Sequence, residues 1–220
     1  MIQQVQKEDA STNHVVLLGD SILDNAAYVG GAPDVVEQVR RRLPHGWKAT
    51  LGAVDGSTTR DVVGQLRLLP ADATHLIVSV GGNDALGSGD FLAAPAGSTA
   101  EALLGLADIA EQFEHGYHAM LREVLAYGLP TAVCTVYYPR FPDAALQKIA
   151  VTGLTVFNDC IIRSAFVHRI PLLDLRFICT EEGDYANPIE PSAQGGEKIA
   201  RAIVETVRRG FASGRTEVFF

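Results

Sequence analysis

A serine stands within Gly19-Asp20-Ser21-Ile22-Leu23-Asp24-Asn25, directly after the apolar run His14-Val15-Val16-Leu17-Leu18. A strand-to-helix turn at that point presents a serine hydroxyl at the end of a strand. The unpaired N–H groups of a first helical turn stabilise negative charge beside it. That is the setting of a nucleophile; the competing reading is a serine that only caps a helix. Two further segments have the same placement. Gly52-Ala53-Val54-Asp55-Gly56-Ser57-Thr58 closes a second strand-like run, and Leu76-Ile77-Val78-Ser79-Val80-Gly81-Gly82-Asn83-Asp84 closes a third with an amide just beyond it. In an open parallel sheet the carboxyl ends of the strands share one edge, so Ser21, Gly56 and Asn83 are expected to converge there. The Ser21 N–H, the Gly56 N–H and the Asn83 amide are donors of the kind an oxyanion hole needs, about 3 Å from the developing charge. Gly56 also permits close backbone approach to a substrate.

In these blocks the chain resembles the SGNH hydrolases, also called the GDSL esterase/lipase family. The Gly-Asp-Ser block at 19–21, the glycine block at Gly56, the Gly-x-Asn-Asp block at 81–84 and a last block before the final helix carry the resemblance over most of the chain. It implies a serine hydrolase of small esters, with Ser21 as nucleophile and Gly56 and Asn83 completing the oxyanion hole, and it implies no cofactor and no metal. The last block departs from the pattern. It reads Asn187-Pro188-Ile189-Glu190-Pro191-Ser192-Ala193-Gln194-Gly195-Gly196, where the family carries Asp-x-x-His before Pro-Ser and a glycine. Asn187 stands at the expected Asp and Glu190 at the expected catalytic His.

A serine hydroxyl is a poor nucleophile until an adjacent base takes its proton, and imidazole suits that task because its pKa lies near neutrality. None of the other histidines is expected at the site. His14, His75 and His168 precede or begin strands, and His45 lies before the second strand, all at the opposite edge. His115 and His118 belong to a long helix, where a solvated face explains them better than a metal site with Glu111 and Glu114. Glu190 itself remains. A neutral His with an Asp carries one negative charge, and so does a Glu with an Asn. A glutamate base becomes neutral on taking the proton and has no use for a second carboxylate behind it, so Asn187 is consistent with Glu190. Its ordinary pKa of about 4.3 makes it a weak base unless burial raises it. The competing reading is that Glu190 only caps or salt-bridges near the last helix. Asp184 is a reserve carboxylate.

The elements that must position these residues follow from periodicity. Apolar runs rich in Val, Ile and Leu recur near 14–19, 47–54, 75–81, 131–137 and 171–175, each suited to a strand buried on both faces. Helical spacing fills the gaps at 33–43, 103–124, 146–161 and 192–209. Alternation of strands and helices predicts an α/β fold, a three-layer doubly wound sheet of five parallel strands in the flavodoxin-like order 2-1-3-4-5. Ser21 and Asn83 then flank the switch point between strands 1 and 3. One domain is expected over 14–212, with a polar extension at 1–13 and a tail at 213–220.

Several side chains near this edge are candidates for contacting substrate. Asp24 and Asn25 follow Ser21 by one turn. Phe91 lies in the long loop 87–98, and Tyr138 and Arg140 lie after strand 4; such loops are commonly functional. Arg140 could recognise a carboxylate or phosphate. The 220 residues are 47% hydrophobic and 20% charged, as in a globular domain, and the net charge of −8 argues against nucleic acid or an anionic membrane as partner. Cys134, Cys160 and Cys179 read as buried thiols of a reducing compartment. With a polar start and no run of transmembrane length, a cytoplasmic protein is expected. Two functions stay open: a serine esterase, and a catalytically impaired module that binds an acylated or small carboxylate ligand. Phosphate or flavin binding at the same edge would rest on fold analogy alone.

Overall fold

A computed structural model describes residues 12–211 and 215–220, so most of the expected N-terminal extension lies outside the described residues. Strands β1 (His14–Gly19), β2 (Lys48–Leu51), β3 (His75–Ser79), β4 (Thr131–Cys134) and β5 (Leu172–Leu173) form a parallel sheet. A sixth parallel strand, β6 (Val218–Phe219), extends it to the order β2-β1-β3-β4-β5-β6. The order of the first five strands is as expected; the sixth is a correction, because it recruits the segment read as a tail. Two residues are too few for a periodic signal, and it is the open edge of β5 that defines this strand. Leu172 N–H donates to Glu217 O (2.9 Å) and Asp174 N–H to Phe219 O (2.8 Å).

Between the strands lie helices α1 (Val35–Arg42), α2 (Val62–Leu66), α3 (Gly82–Gly87), α4 (Thr99–Leu125), α5 (Ala144–His168), α6 (Leu175–Ile178) and α7 (Ala193–Arg209). Five of them start where a side-chain oxygen accepts a first-turn N–H: Asp34 from Glu37, Ser98 from Glu101, Asp143 from Leu146, Asp174 from Arg176, and Ser192 from Gln194 and Gly195. The sheet is covered on both sides. Val15, Leu17, Ile77 and Leu173 pack with α1 and α7, and Val16, Leu18, Leu76, Val78 and Leu172 pack with α2, α4 and α5. Because side chains alternate across a strand, both parities of β1 must be apolar, which is why its sequence shows an unbroken run.

Two local expectations change. No α-helix follows Ser21 directly. The chain makes one turn, with Leu23 and Asp24 N–H both donating to Asp20 O, then a 3₁₀ turn at Ala26–Tyr28, and α1 waits until Val35. Gly30 and Gly31, both at positive φ, and Pro33 interrupt any earlier helix. Helix α5 is long and apolar enough to cross a membrane by length and composition, contrary to the expectation that no run reaches that length. Its buried face, Phe157, Cys160, Ile161 and Ala165, is part of the core beside Val133 of β4 and Tyr117 and Leu121 of α4.

Candidate active site

The end of β1 is held by steric exclusion and by one buried amide. Gly19 has φ +130°, and a Cβ there would sit 1.7 Å from Ser79 O on β3. Only glycine lets the two strand ends stay together at this point. Gln65 of α2, itself buried, accepts from Gly19 N–H (2.8 Å) and donates to Gly19 O (2.8 Å). Asp20 N–H then bonds Ser79 O (3.1 Å), and Ser21 follows at the head of the sheet, 6% exposed, its own N–H unpaired among the described residues.

The β3 end supplies the second group. Asn83 is the second residue of α3, and its amide nitrogen donates to Ser57 O (2.9 Å), which fixes the side chain and leaves its second amide hydrogen unused among the described residues. Asp84 accepts from Thr59 N–H (3.1 Å) and Oγ1 (2.7 Å), so the loop after β2 is fastened to α3 at two points. Gly56 lies in that loop, exposed, at φ +81°. Its N–H is unpaired among the described residues, and it stands outside the wall of the cavity described below.

Glu190 arrives on a loop that is tied down along its length. Asn187 Oδ1 accepts from the N–H groups of Ile189 and Glu190 (both 3.0 Å), Tyr137 Oη donates to Ile189 O (2.7 Å), and Arg140 N–H donates to Pro188 O (2.8 Å). Asn187 is exposed and acts on the backbone of Glu190. Glu190 is 6% exposed, and its Oε2 is buried with no hydrogen-bond partner among the described residues. Burial raises its pKa above the ordinary value, the Ser21 hydroxyl pulls it back by favouring the ionised form, and the charge of Asp55 pushes it up again. Asp20, 2% exposed, is pushed up to about 8, chiefly by burial; the Ile22 N–H opposes this, and Glu190 and Asp84 add to it. Near neutral pH Asp20 is therefore mostly uncharged.

Ser21, Asn83 and Glu190 border one cavity of about 310 Å³ that runs between the loop after α3 and the N-terminal halves of α4 and α5. Apart from these residues, Asp20 and Ser79, Ser88 and Tyr137, its wall is glycine, alanine, proline and larger apolar side chains such as Phe91, Leu106, Ile149 and Phe157. The profile of the GDSL-like Lipase/Acylhydrolase family matches residues 17–198, from β1 into α7. The chain belongs to that family.

Solved structures agree with this family's fold at low identity. The extracellular lipase of Streptomyces rimosus superposes with a TM-score of 0.63 at 16% identity, over 90% of this chain and 99% of that one. The aryl esterase of M. smegmatis gives 0.64 at 14% identity, over 90% and 99%. The psychrotrophic esterase EstA of Pseudoalteromonas sp. gives 0.64 at 15% identity, over 90% and 97%. No curated protein matches the chain by sequence.

Within this GDSL-like chain the remaining candidates divide clearly. Phe91 lines the cavity. Asn25 does not; it is fully buried, its Oδ1 accepting from Val35 N–H (2.9 Å) and its Nδ2 donating to Pro191 O (3.2 Å). It thus joins the Ser21 segment, the start of α1 and the Glu190 loop. Asp24 accepts from Asp55 N–H (3.0 Å), Tyr138 O accepts from Tyr185 Oη (2.9 Å), and the Arg140 guanidinium bonds Thr180 O and lies over the Tyr185 ring. These three stand off the cavity wall. Asp184 is no reserve base: its fully buried side chain is paired with Lys198 (2.8 Å). Burial would raise its pKa, but Lys198, the Glu181 N–H and Gln194 outweigh that and hold it below the usual carboxylate range.

Among the described residues no histidine lines the cavity, and no group of three or more His, Cys, Asp or Glu is arranged to hold a metal ion. His14 is bound by Asp72 (2.8 Å) and Thr50 (2.7 Å) at the amino end of β1. The three cysteines are buried thiols, with burial pushing Cys134 and Cys179 up to about 12 and Cys160 to about 11. Sequence reasoning missed Gln65 and the anchoring role of Asn25. A lone Gln in a short helix carries no local signal; an Asn before a glycine-rich turn carries only a turn signal.

Proposed function

We propose that this chain is a serine hydrolase of uncharged esters in which Glu190 replaces the usual histidine base. Ser21 Oγ attacks the ester carbonyl carbon while its proton passes to the Glu190 carboxylate. The carbonyl oxygen becomes an oxyanion that accepts from the Ser21 N–H, the free hydrogen of the Asn83 amide and the Gly56 N–H. Collapse of this intermediate breaks the bond to the alcohol oxygen, which takes the proton back from Glu190 and leaves. A water molecule then gives a proton to Glu190, attacks the acyl-enzyme, and the returning proton restores Ser21 as the acid departs.

The observation that carries this reading is a buried Glu190 whose carboxylate is raised in pKa and short of partners, bordering the same cavity as Ser21 at the head of β1. A purely structural glutamate at that depth would be paired, as Asp184 is with Lys198. Asp20, mostly neutral, adds little charge against the oxyanion. The test is labelling by an alkyl organophosphonate followed by mass spectrometry of the modified peptide, with turnover of short p-nitrophenyl esters in parallel. Label on Ser21, absent in Ser21→Ala, together with turnover is the expected result. Neither label nor turnover would sink the reading and favour a binding module.

A further inference from the structure

We propose that the cavity between α4 and α5 is an acyl subsite for an uncharged chain of about eight carbons, and that Gly153 sets the length it accepts. The proposal rests on the ester-hydrolase reading above and names its substrate. Its first support is chemical. The cavity wall carries carboxyl groups only at Asp20 and Glu190 and carries no Lys, Arg or His among the described residues. Of the cations that adjoin wall residues in sequence, Arg140 is committed to Thr180 O and to the Tyr185 ring, and Lys148, beside Ile149, is exposed and outside the wall. A carboxylate or phosphate on the acyl group would therefore meet the Glu190 carboxylate and no cation in the wall, whereas an alkyl chain meets Ile22, Leu106, Ile109, Leu154 and Phe157.

The second support is the state of the mouth. Leu86, Leu92, Leu146 and Ile149 belong to the cavity wall yet are 51%, 55%, 39% and 47% exposed. Four large apolar side chains half in water around one opening form a patch of the kind that marks a binding groove. A chain threading from Ser21 toward Leu146 and Ile149 covers them. The volume sets the scale: an apolar cavity of about 150 Å³ holds benzene, so 310 Å³ takes about twelve carbons, of which the reacting ester uses several.

The chain is assigned to the acyl side because the alcohol leaves after the first step and needs a route to solvent, while the acyl group stays on Ser21 through both steps. Gly153 is the point of control. It lies on α5 in the cavity wall, and a Cβ added there meets nothing within 4 Å, so the helix tolerates a side chain that would grow into the slot. Leucine also has a better helix propensity than glycine.

The experiment measures kcat/KM for p-nitrophenyl esters from acetate to dodecanoate, and for alkyl acetates of the same chain lengths, with wild type and Gly153→Leu. Wild type should gain up to about fourfold per added methylene, levelling near octanoate. Gly153→Leu should lower the octanoate-to-acetate ratio by about tenfold or more and move the plateau to shorter chains. The monosuccinate ester should turn over at least tenfold more slowly than butanoate. A flat acyl profile, an unchanged ratio in Gly153→Leu, or a steeper dependence on the alcohol chain would each overturn the subsite. Calorimetric binding of octan-2-one, an unreactive analogue, separates the two proposals. Binding to wild type that weakens tenfold in Gly153→Leu, with no ester turned over, would keep the subsite and remove the hydrolase reading. No binding and no turnover would remove both.

Discussion

Glutamine at position 190 keeps the shape of the side chain and removes its basicity. General-base assistance contributes about 10² to 10⁴ in rate, so Glu190→Gln should lower kcat on p-nitrophenyl butanoate by that factor and slow phosphonate labelling of Ser21 in proportion. Stability should move the other way. Wild-type Glu190 is 6% exposed, with Oε2 unpartnered among the described residues, and its pKa is raised by burial above the ordinary value. A group with a raised folded-state pKa stabilises fully below its unfolded pKa, and that contribution is lost as pH rises through the folded value. Ionised Glu190 therefore weakens the fold above the usual carboxylate range. A buried unsatisfied group costs about 1–3 kcal/mol. The new amide is still short of a partner, so the gain sits at the low end, about 1 kcal/mol, or 2–4 °C in Tm for a chain of this size. Thermal melts at pH 7.5 and pH 4 test this: Glu190→Gln should melt higher than wild type at pH 7.5 and equal to it near pH 4. Retention of full activity would mean that the base lies elsewhere. A Tm several degrees lower at pH 7.5 would mean that Glu190 is a structural residue.

Asn83→Ala should lower kcat by about 10² to 10³ with little change in KM; an unchanged kcat would mean that the bond to Ser57 O is its whole role. In a pH–rate series, activity should rise with pH as Glu190 ionises and fall again near pH 8 as Asp20 ionises, and Asp20→Asn should remove the falling limb. The same carboxyl, ordinarily near 3.9 in an unfolded chain, stabilises fully below that pH and loses its contribution progressively toward its folded value of about 8. Chemical unfolding should thus show wild type weakening over that window by several kcal/mol, on the order of 1.4 per unit, and Asp20→Asn weakening much less. Asn25→Ala orphans the Val35 N–H and Pro191 O and should lower Tm by about 5–10 °C, with kcat falling because the Glu190 loop loses its tie to the Ser21 segment.

The strands, the long helices and their starts were legible because burial on both faces of a parallel sheet leaves unbroken Val, Ile and Leu runs, and because a cap such as Asp34 or Ser192 writes its position into the chain. The Ser21, Gly56 and Asn83 blocks were legible for a related reason: each follows a strand, and parallel strands end on one edge whatever separates them in sequence. Glu190 was named from its place before the last helix. That it is buried on the same cavity as Ser21 depends on Asn187, Tyr137 and Arg140 holding its loop, contacts that span up to 52 residues from Tyr137 to Ile189. Only the tertiary structure assigned Asn25 to a junction and Asp184 to Lys198, because a polar side chain takes whichever partner folding brings near. It alone found β6, where two residues become a strand by pairing with the free edge of β5, and the apolar slot at Gly153, whose walls come from α3, α4 and α5 and are adjacent only once those helices have packed.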